Sequence, residues 1–364
     1  MATPTGVLWD RDLHTGAKHQ LLRHYLEAWF LILTQSPWGA EGTTYVDAFA
    51  GPGEYKDGSI GSPIIALRAA NLPQVTETGN PVHLLLIEEH QGRFEHLQAL
   101  LSNETMHNDH CTWTAKKGSC EAVLTPALDA LGAWSGPMFV NFDGWGVDTP
   151  FHLVQSVGGG GDKPHEVLVT FEAQWFTRFA TVQDQGAGDS VFGDTNWRHV
   201  ADLASAGEKR SFLIEEYRAR LRHAGFAYSS VFELVDERGH ELLLVFGTSE
   251  EYGIDKMKRA MWNVDPIRGS RFRDPRDPNQ AAFELSLTDP DLRLLKEQIL
   301  GRLEQGPATL SELKRFALLD TVYRAPHATD AVKELATEKR VSRSSGRTHD
   351  EVVVQLPTEQ SLFP

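Results

Sequence analysis

Thr43-Thr44-Tyr45-Val46-Asp47-Ala48-Phe49-Ala50-Gly51-Pro52-Gly53 is a β-branched and aromatic run that stops at a glycine turn. Such a run, bounded by Gly and Pro, reads as a strand entering a tight loop. Pro63 to Ala70 reads as the helix that follows. Working outward, Val82–Ile87, Thr112–Ala115, Met138–Phe142 and Val167–Phe171 are further short apolar runs. Near-continuous runs of this kind fit strands buried on both faces. Helical spacing falls between them, at Phe94–Leu101 and Cys120–Leu131, and before them at His14–Leu33. Strands alternating with helices predict an α/β fold with a doubly wound, Rossmann-like parallel sheet. After the amphipathic Glu208–Ala224, Tyr228–Val235 and Glu241–Phe246 flank Asp236-Glu237-Arg238-Gly239 as a hairpin. A hairpin at that place makes one strand of the sheet antiparallel.

Composition bounds the function. The net charge is −15, so any nucleic-acid contact must be local to a patch or cleft. The two cysteines, Cys111 and Cys120, have no His or Cys partners at metal spacing, and no metal site is expected. They read as thiols in a reducing cytoplasm, with a disulfide between them as the alternative. The N-terminal residues lack the basic and apolar regions of a secretory leader, and no apolar run is long enough to span a bilayer. A soluble, cytoplasmic protein without membrane contact is expected. Gly158–Gly161 reads as a flexible loop, and Gln183–Trp197 as a polar, Gly-rich stretch, either a lid or a solvent loop.

The chemistry begins at the glycine loop. It lacks the third glycine of the dinucleotide fingerprint. Phe49-Ala50-Gly51-Pro52-Gly53 has instead the F-x-G-x-G form of many S-adenosylmethionine loops. Asp47 is placed there to meet the cofactor's ammonium group. Glu88, at the tip of the second strand, is placed to accept hydrogen bonds from the ribose hydroxyls, with Glu89 one position away. Lys116-Lys117-Gly118-Ser119 follows the third strand, where the adenine is expected, so Ser119 is a candidate contact; a solvated basic turn is the alternative. The fourth strand ends at Asp143, followed by Gly144 and Trp145. Asp143 borders both cofactor and acceptor and is the first catalytic candidate. Glu172, at the end of the fifth strand, is the second. Lys18, His19, Tyr55 and Trp145 are the candidate substrate contacts; residues such as Lys18 and His19 are more often surface residues than acid, base or substrate clamp.

The chain resembles the three-Cys-motif partner proteins. The resemblance is carried by Lys18-His19 with Leu21-Leu22, Tyr25-Leu26 and Trp29, and by Tyr45-Val46-Asp47 through Gly53-Glu54-Tyr55 with Gly61-Ser62-Pro63. Asp143-Gly144-Trp145-Gly146, Lys256-Met257-Lys258, Met261-Trp262 and Val264-Asp265-Pro266 complete it. It implies a methyltransferase-like fold and a three-Cys-motif, radical-type partner protein. Gly144 departs from it, since the family usually has Pro after the Asp.

Pro, Arg and Asp crowd residues 268–279 and mark a linker, which divides the chain into a methyltransferase-like domain (1–284) and a small domain (285–364). In the latter, Asp291–Leu303, Leu310–Leu319 and Thr329–Lys339 read as helices and Arg340–Leu356 as two strands. Three helices and a wing predict a winged helix, which brings nucleic acid in as a candidate partner. From Leu285 onward the chain carries 11 basic and 12 acidic residues, so the acidity lies in the main domain. The residues predict a methyltransferase. A nucleic acid or nucleotide stands as the first acceptor, a small metabolite or peptide as the second, and a non-catalytic partner protein as the third alternative.

Overall fold

The computed structural model describes residues 6–103, 110–144, 148–160, 162–181, 185–273, 290–346 and 349–357. Helix α1 (Leu13–Gln35) buries a stripe that includes Leu22, Tyr25, Leu26, Trp29 and Leu33, and it stops where Ser36 turns extended before Pro37. Then follow β1 (Thr43–Asp47), α2 (Ser62–Ala70), α3 (Pro73–Thr76), β2 (Val82–Glu88), α4 (Gln91–Asn103) and β3 (Cys111–Lys117). Next come α5 (Cys120–Leu131), β4 (Met138–Phe142), α6 (Phe151–Gly158), β5 (His165–Phe171), α7 (Ala173–Phe179), α8 (Gly186–Phe192) and α9 (Ala206–His223). The main sheet closes with β6 (Tyr228–Val235), β7 (Glu241–Thr248), α10 (Glu251–Val264) and β8 (Arg271–Arg273).

The sheet runs β3-β2-β1-β4-β5-β7-β6-β8. Strands β1 to β5 pair in parallel, and β7 inserts antiparallel between β5 and β6, as the hairpin led us to expect. Every residue of β1, β4 and β5 is buried, because helices cover both faces. One core holds α1, α2 and α10 against the sheet, the other α5, α6 and α9.

Three local expectations need correction. The described part of the stretch from Gln183 to Trp197 contains α8, and it buries Val191, Phe192 and Trp197. Trp197 donates to Asp189 at 2.9 Å and stacks on Phe192, so this part is core rather than lid or solvent loop. Gly158 ends α6, where a Cβ would sit 2.0 Å from the Ala224 carbonyl oxygen. Close packing, not flexibility, accounts for glycine there. Lys116 and Lys117 belong to β3, paired with Ile87 and Glu88, rather than to a turn.

The C-terminal part contains α11 (Arg293–Leu303), β9 (Ala308–Thr309), α12 (Leu310–Asp320), α13 (Ala325–Thr337), β10 (Ser342–Arg343) and β11 (Val353–Gln355). The three strands form one antiparallel sheet, β10-β11-β9. Thr309 starts α12 through a reciprocal capping box with Glu312. Helix α13 begins at Ala325 rather than Thr329, with Pro326 in its first turn, where the missing N–H costs nothing. These elements share a third hydrophobic core, which Trp262 of α10 joins. Both cysteines are buried free thiols. Among the described residues no helix is long and apolar enough to cross a membrane.

Candidate functional site

The strand order reverses between β1 and β4, and ligands of open α/β sheets bind in the crevice at such a point. Here the crevice is a cavity of about 1180 Å³ at the carboxyl ends of the strands. Its floor is the loop after β1. Gly51 and Gly53 both adopt positive φ, +62° and +85°, a region that favours glycine. They differ in what surrounds them. A Cβ on Gly53 would press on Leu100 Cδ2 at 2.9 Å, so Gly53 serves packing against α4. A Cβ on Gly51 would meet only Trp9 Cη2, at 3.5 Å. Gly51 therefore presents bare backbone to the cavity.

Glu88 ties this loop to the tip of β2. Its Oε2 accepts the Gly51 N–H at 2.9 Å, and its Oε1 accepts the His90 N–H at 2.6 Å. Each carboxylate oxygen keeps a further acceptor position for a ligand hydroxyl. Asp47 is fully buried and does not line the cavity; its carboxylate lies on the same sheet face as Tyr45, whose hydroxyl donates to it at 3.1 Å. Burial pushes its pKa up to about 6, opposed by hydrogen bonds from Ser62 and Tyr45. The structure thus places Asp47 in the sheet below the loop, outside the cavity lining. Phe49 lines the cavity and explains Gly144, where a Cβ would lie 3.0 Å from the Phe49 ring. Ser119 also lines it, and its hydroxyl caps α5 by accepting the Ala122 N–H at 3.3 Å.

On the opposite wall, Asp143 Oδ2 accepts from Lys18 Nζ at 2.5 Å and Oδ1 accepts from the Thr170 hydroxyl at 2.7 Å. Both charged side chains are mostly buried, 16% and 15% exposed. Burial works to raise the Asp143 pKa, but the Lys18 ammonium and the Thr170 bond outweigh it and hold the carboxyl below its usual range. His19, next along α1, is pushed down to about 3 by burial and then by Lys18, so it is uncharged near neutral pH. Its Nε2 lies 3.4 Å from the Tyr55 hydroxyl. Burial, with Asp143 and Asp47 nearby, raises the Tyr55 hydroxyl well above its ordinary value. Glu172 lines the same cavity from the start of α7. Trp145 lies outside the described residues.

Lys18, His19, Phe49, Gly51, Gly53, Tyr55, Glu88, Ser119, Asp143 and Glu172 therefore share one cavity. Three participants escaped the sequence reasoning. Thr170 is a threonine inside an apolar strand, with nothing to mark it as Asp143's partner. Trp9 packs edge-on against Tyr55, and Arg93 lies 5.0 Å over the Trp9 ring. The N-terminal residues that bring Trp9 over the cavity show no periodicity. The lining is acidic, with eight carboxylates against Lys18 and Arg93.

No protein-family model matches the chain, and no curated protein matches it. Solved structures give remote likenesses. The complex of Trm1 from Pyrococcus horikoshii with S-adenosyl-L-methionine aligns over 100% of this chain and 95% of its own, at 9% identity and a TM-score of 0.39. The precorrin-6y C5,15-methyltransferase of Geobacter metallireducens aligns over 61% and 86%, at 9% identity and 0.30. EvdMO1 aligns over 58% of this chain, at 11% identity and 0.32, and the chain spans 38% of its length. At such scores the likenesses carry no argument, and the function proposed below rests on the chain's own residues.

Proposed function

We propose that this protein is an S-adenosylmethionine-dependent methyltransferase of the class I type, acting on a neutral or cationic acceptor. The observation that carries the proposal is the joining of Gly51 to Glu88 at the switch point, with Asp143 facing them across one cavity. The residues fit this cofactor. Gly51 leaves open the space a Cβ would fill, and Glu88 is anchored with acceptor positions to spare for the ribose hydroxyls. Phe49 and Gly53 shape the loop, Ser119 stands at the end of β3 for the adenine, and Asp47 supports the loop from below. The bound cofactor supplies the methyl group as a sulfonium.

The chain's own task is to align the acceptor and exclude water. Asp143, kept ionised by Lys18, accepts a hydrogen bond from the acceptor's N–H or O–H and so fixes its lone pair. His19, uncharged and buried beside Tyr55, offers the same wall a neutral polar contact rather than a base, since its pKa lies far below neutral. Glu172 adds a second carboxylate. A site with this many carboxylates attracts an amine and repels phosphate. This favours a small metabolite or peptide over the nucleic acid or nucleotide expected first.

We read residues 285–364 as a winged helix. Its exposed α13 side chains mix Lys333 with Asp330 and Glu334, and Arg340 pairs with Glu297 at 2.9 Å. That mixture fits a protein contact better than a phosphate backbone. The radical-type three-Cys-motif enzyme implied by the resemblance is the partner we propose for supplying the acceptor, in the cytoplasm. The test is transfer of label from methyl-labelled S-adenosylmethionine into a cell extract split into RNA, DNA, peptides and small molecules. Label in the peptide or small amine fractions is expected. Label confined to nucleic acid overturns the acceptor class, and no labelling of any fraction by protein shown to be folded counts against the enzyme.

A further inference from the structure

Residues 6–12 precede α1, form no helix or strand, and belong to none of the three cores. The segment is nevertheless tied down at two places beside the first cavity. In the loop after β1, the Lys56 N–H donates to the Trp9 carbonyl at 3.1 Å, and Lys56 Nζ pairs with Asp10 at 3.2 Å. At the start of α4, Arg93 Nε donates to the Gly6 carbonyl at 3.3 Å. Val7 packs there so closely that a Cβ on Gly92 would lie 3.0 Å from Val7 Cγ2. The segment thus bridges the loop and α4, and it brings Trp9 into the cavity wall.

The indole is held from two directions. Arg93, 8% exposed, sits 5.0 Å over its ring, and Tyr55 meets it at 85° with centroids 5.8 Å apart. A cation takes the face of an aromatic ring because the face is the negative part of the quadrupole and the edge the positive part. The edge is what points at Gly51: Trp9 Cη2 lies 3.5 Å from where a Cβ on that glycine would sit. That is ordinary contact distance between carbons. The gap between Gly51 and the indole is therefore one carbon deep, and an atom that fills it touches both.

We propose that Trp9 is a cofactor-contacting residue, whose indole edge closes over the ribose of S-adenosylmethionine at Gly51. This role rests on the cofactor reading above. Glu88 accepts the Gly51 N–H, so a sugar that reaches the spare acceptor positions of Glu88 lies beside Gly51. The positive edge of the indole suits ribose oxygens and disfavours the cationic sulfonium. A segment outside every core and held by few bonds opens at low cost. The cofactor enters beneath it, and the returning indole shuts out water.

The test is calorimetric titration of S-adenosylmethionine into the full-length protein, with tryptophan fluorescence read on the same samples. Trp9→Ala should bind about tenfold more weakly, from the loss of one aromatic contact. Trp9→Phe keeps a ring on the segment and should retain more of the affinity than Trp9→Ala. The chain has nine tryptophans, so Trp9 is isolated by difference. Cofactor should change the emission of wild-type protein and change that of Trp9→Phe much less, and this arm decides where Trp9→Ala fails to fold. Absence of binding to folded wild-type protein overturns the cofactor reading and this role with it. Binding to wild type with equal affinity in Trp9→Ala, or an emission change undiminished in Trp9→Phe, overturns the role of Trp9 alone.

Discussion

Asp143 and Lys18 stand 125 residues apart, and each is mostly buried with the other as counter-ion. Removing one leaves a buried charge alone, which costs about 3–5 kcal/mol. Asp143→Asn should therefore lower the melting temperature as well as slow turnover, by about 10²–10⁴-fold for a positioned acid or base. Pairing it with Lys18→Met separates the two effects. The double variant should regain stability, since no unpaired charge is left, yet stay slow. A folded single variant with the wild-type single-turnover rate would remove Asp143 from the mechanism. The pair's stability should be present at neutral pH and be lost as acid protonates Asp143, whose folded-state pKa is depressed. Asp143 was legible in the sequence because strand ends border the crevice. Its bonds to Lys18 and Thr170 were not, because only the closed sheet and the packing of α1 bring them together.

At the level of the element, β5 shows where apolar patterning stops being informative. Its apolar run from Val167 marked the strand, but the strand starts at His165 and carries Glu166 fully into the core. Glu166 accepts from the Tyr25 hydroxyl and from the Thr248 hydroxyl, the latter at 2.8 Å. Gly253 on α10 has no room for a Cβ, which would sit 2.2 Å from Glu166 Oε1. Burial raises the Glu166 pKa from 4.5 to about 7. A carboxyl raised in this way disfavours folding in full above pH 7, and the cost fades as pH falls toward 4.5. Glu166→Gln removes the charge but turns one of two accepting oxygens into an N–H donor facing a hydroxyl that now donates to it. Its effect on stability should be more favourable at pH 8 than near pH 4.5 by about 3 kcal/mol, from the size of the shift. Denaturant melts at the two pH values check this, and an equal effect at both would contradict it. The glycine loop and β2 were legible for the opposite reason: their signals are local. The stretch around α8 misled because polar composition concealed Phe192 and Trp197, whose burial depends on Phe176 and Tyr217 elsewhere in the chain.

At the scale of the whole molecule, α10 joins the two parts of the chain. Lys258 donates to the carbonyls of Ala317, Leu318, Thr321 and Tyr323 at the end of α12, where helical carbonyls lack internal partners. Trp262 donates to the Val322 carbonyl at 3.1 Å, and Arg315 pairs with Glu251. Lys258→Met should uncouple the C-terminal elements, splitting the calorimetric melt into two transitions and costing about 3 kcal/mol, as buried carbonyls lose donors. A single, unshifted transition would show that the joint is held by Trp262 and its apolar neighbours instead. The sequence marked Lys258 and Trp262 as part of a motif without showing what they hold. The acidic cavity lies in the main domain. The central claim concerns that cavity, and titration of S-adenosylmethionine into wild-type protein and into Glu88→Ala tests it most directly. The account predicts one site per chain in the wild type and about tenfold or greater weakening in the variant, from loss of charge-assisted bonds to the ribose. Absence of binding to folded wild-type protein, or equal affinity in the two, would contradict it.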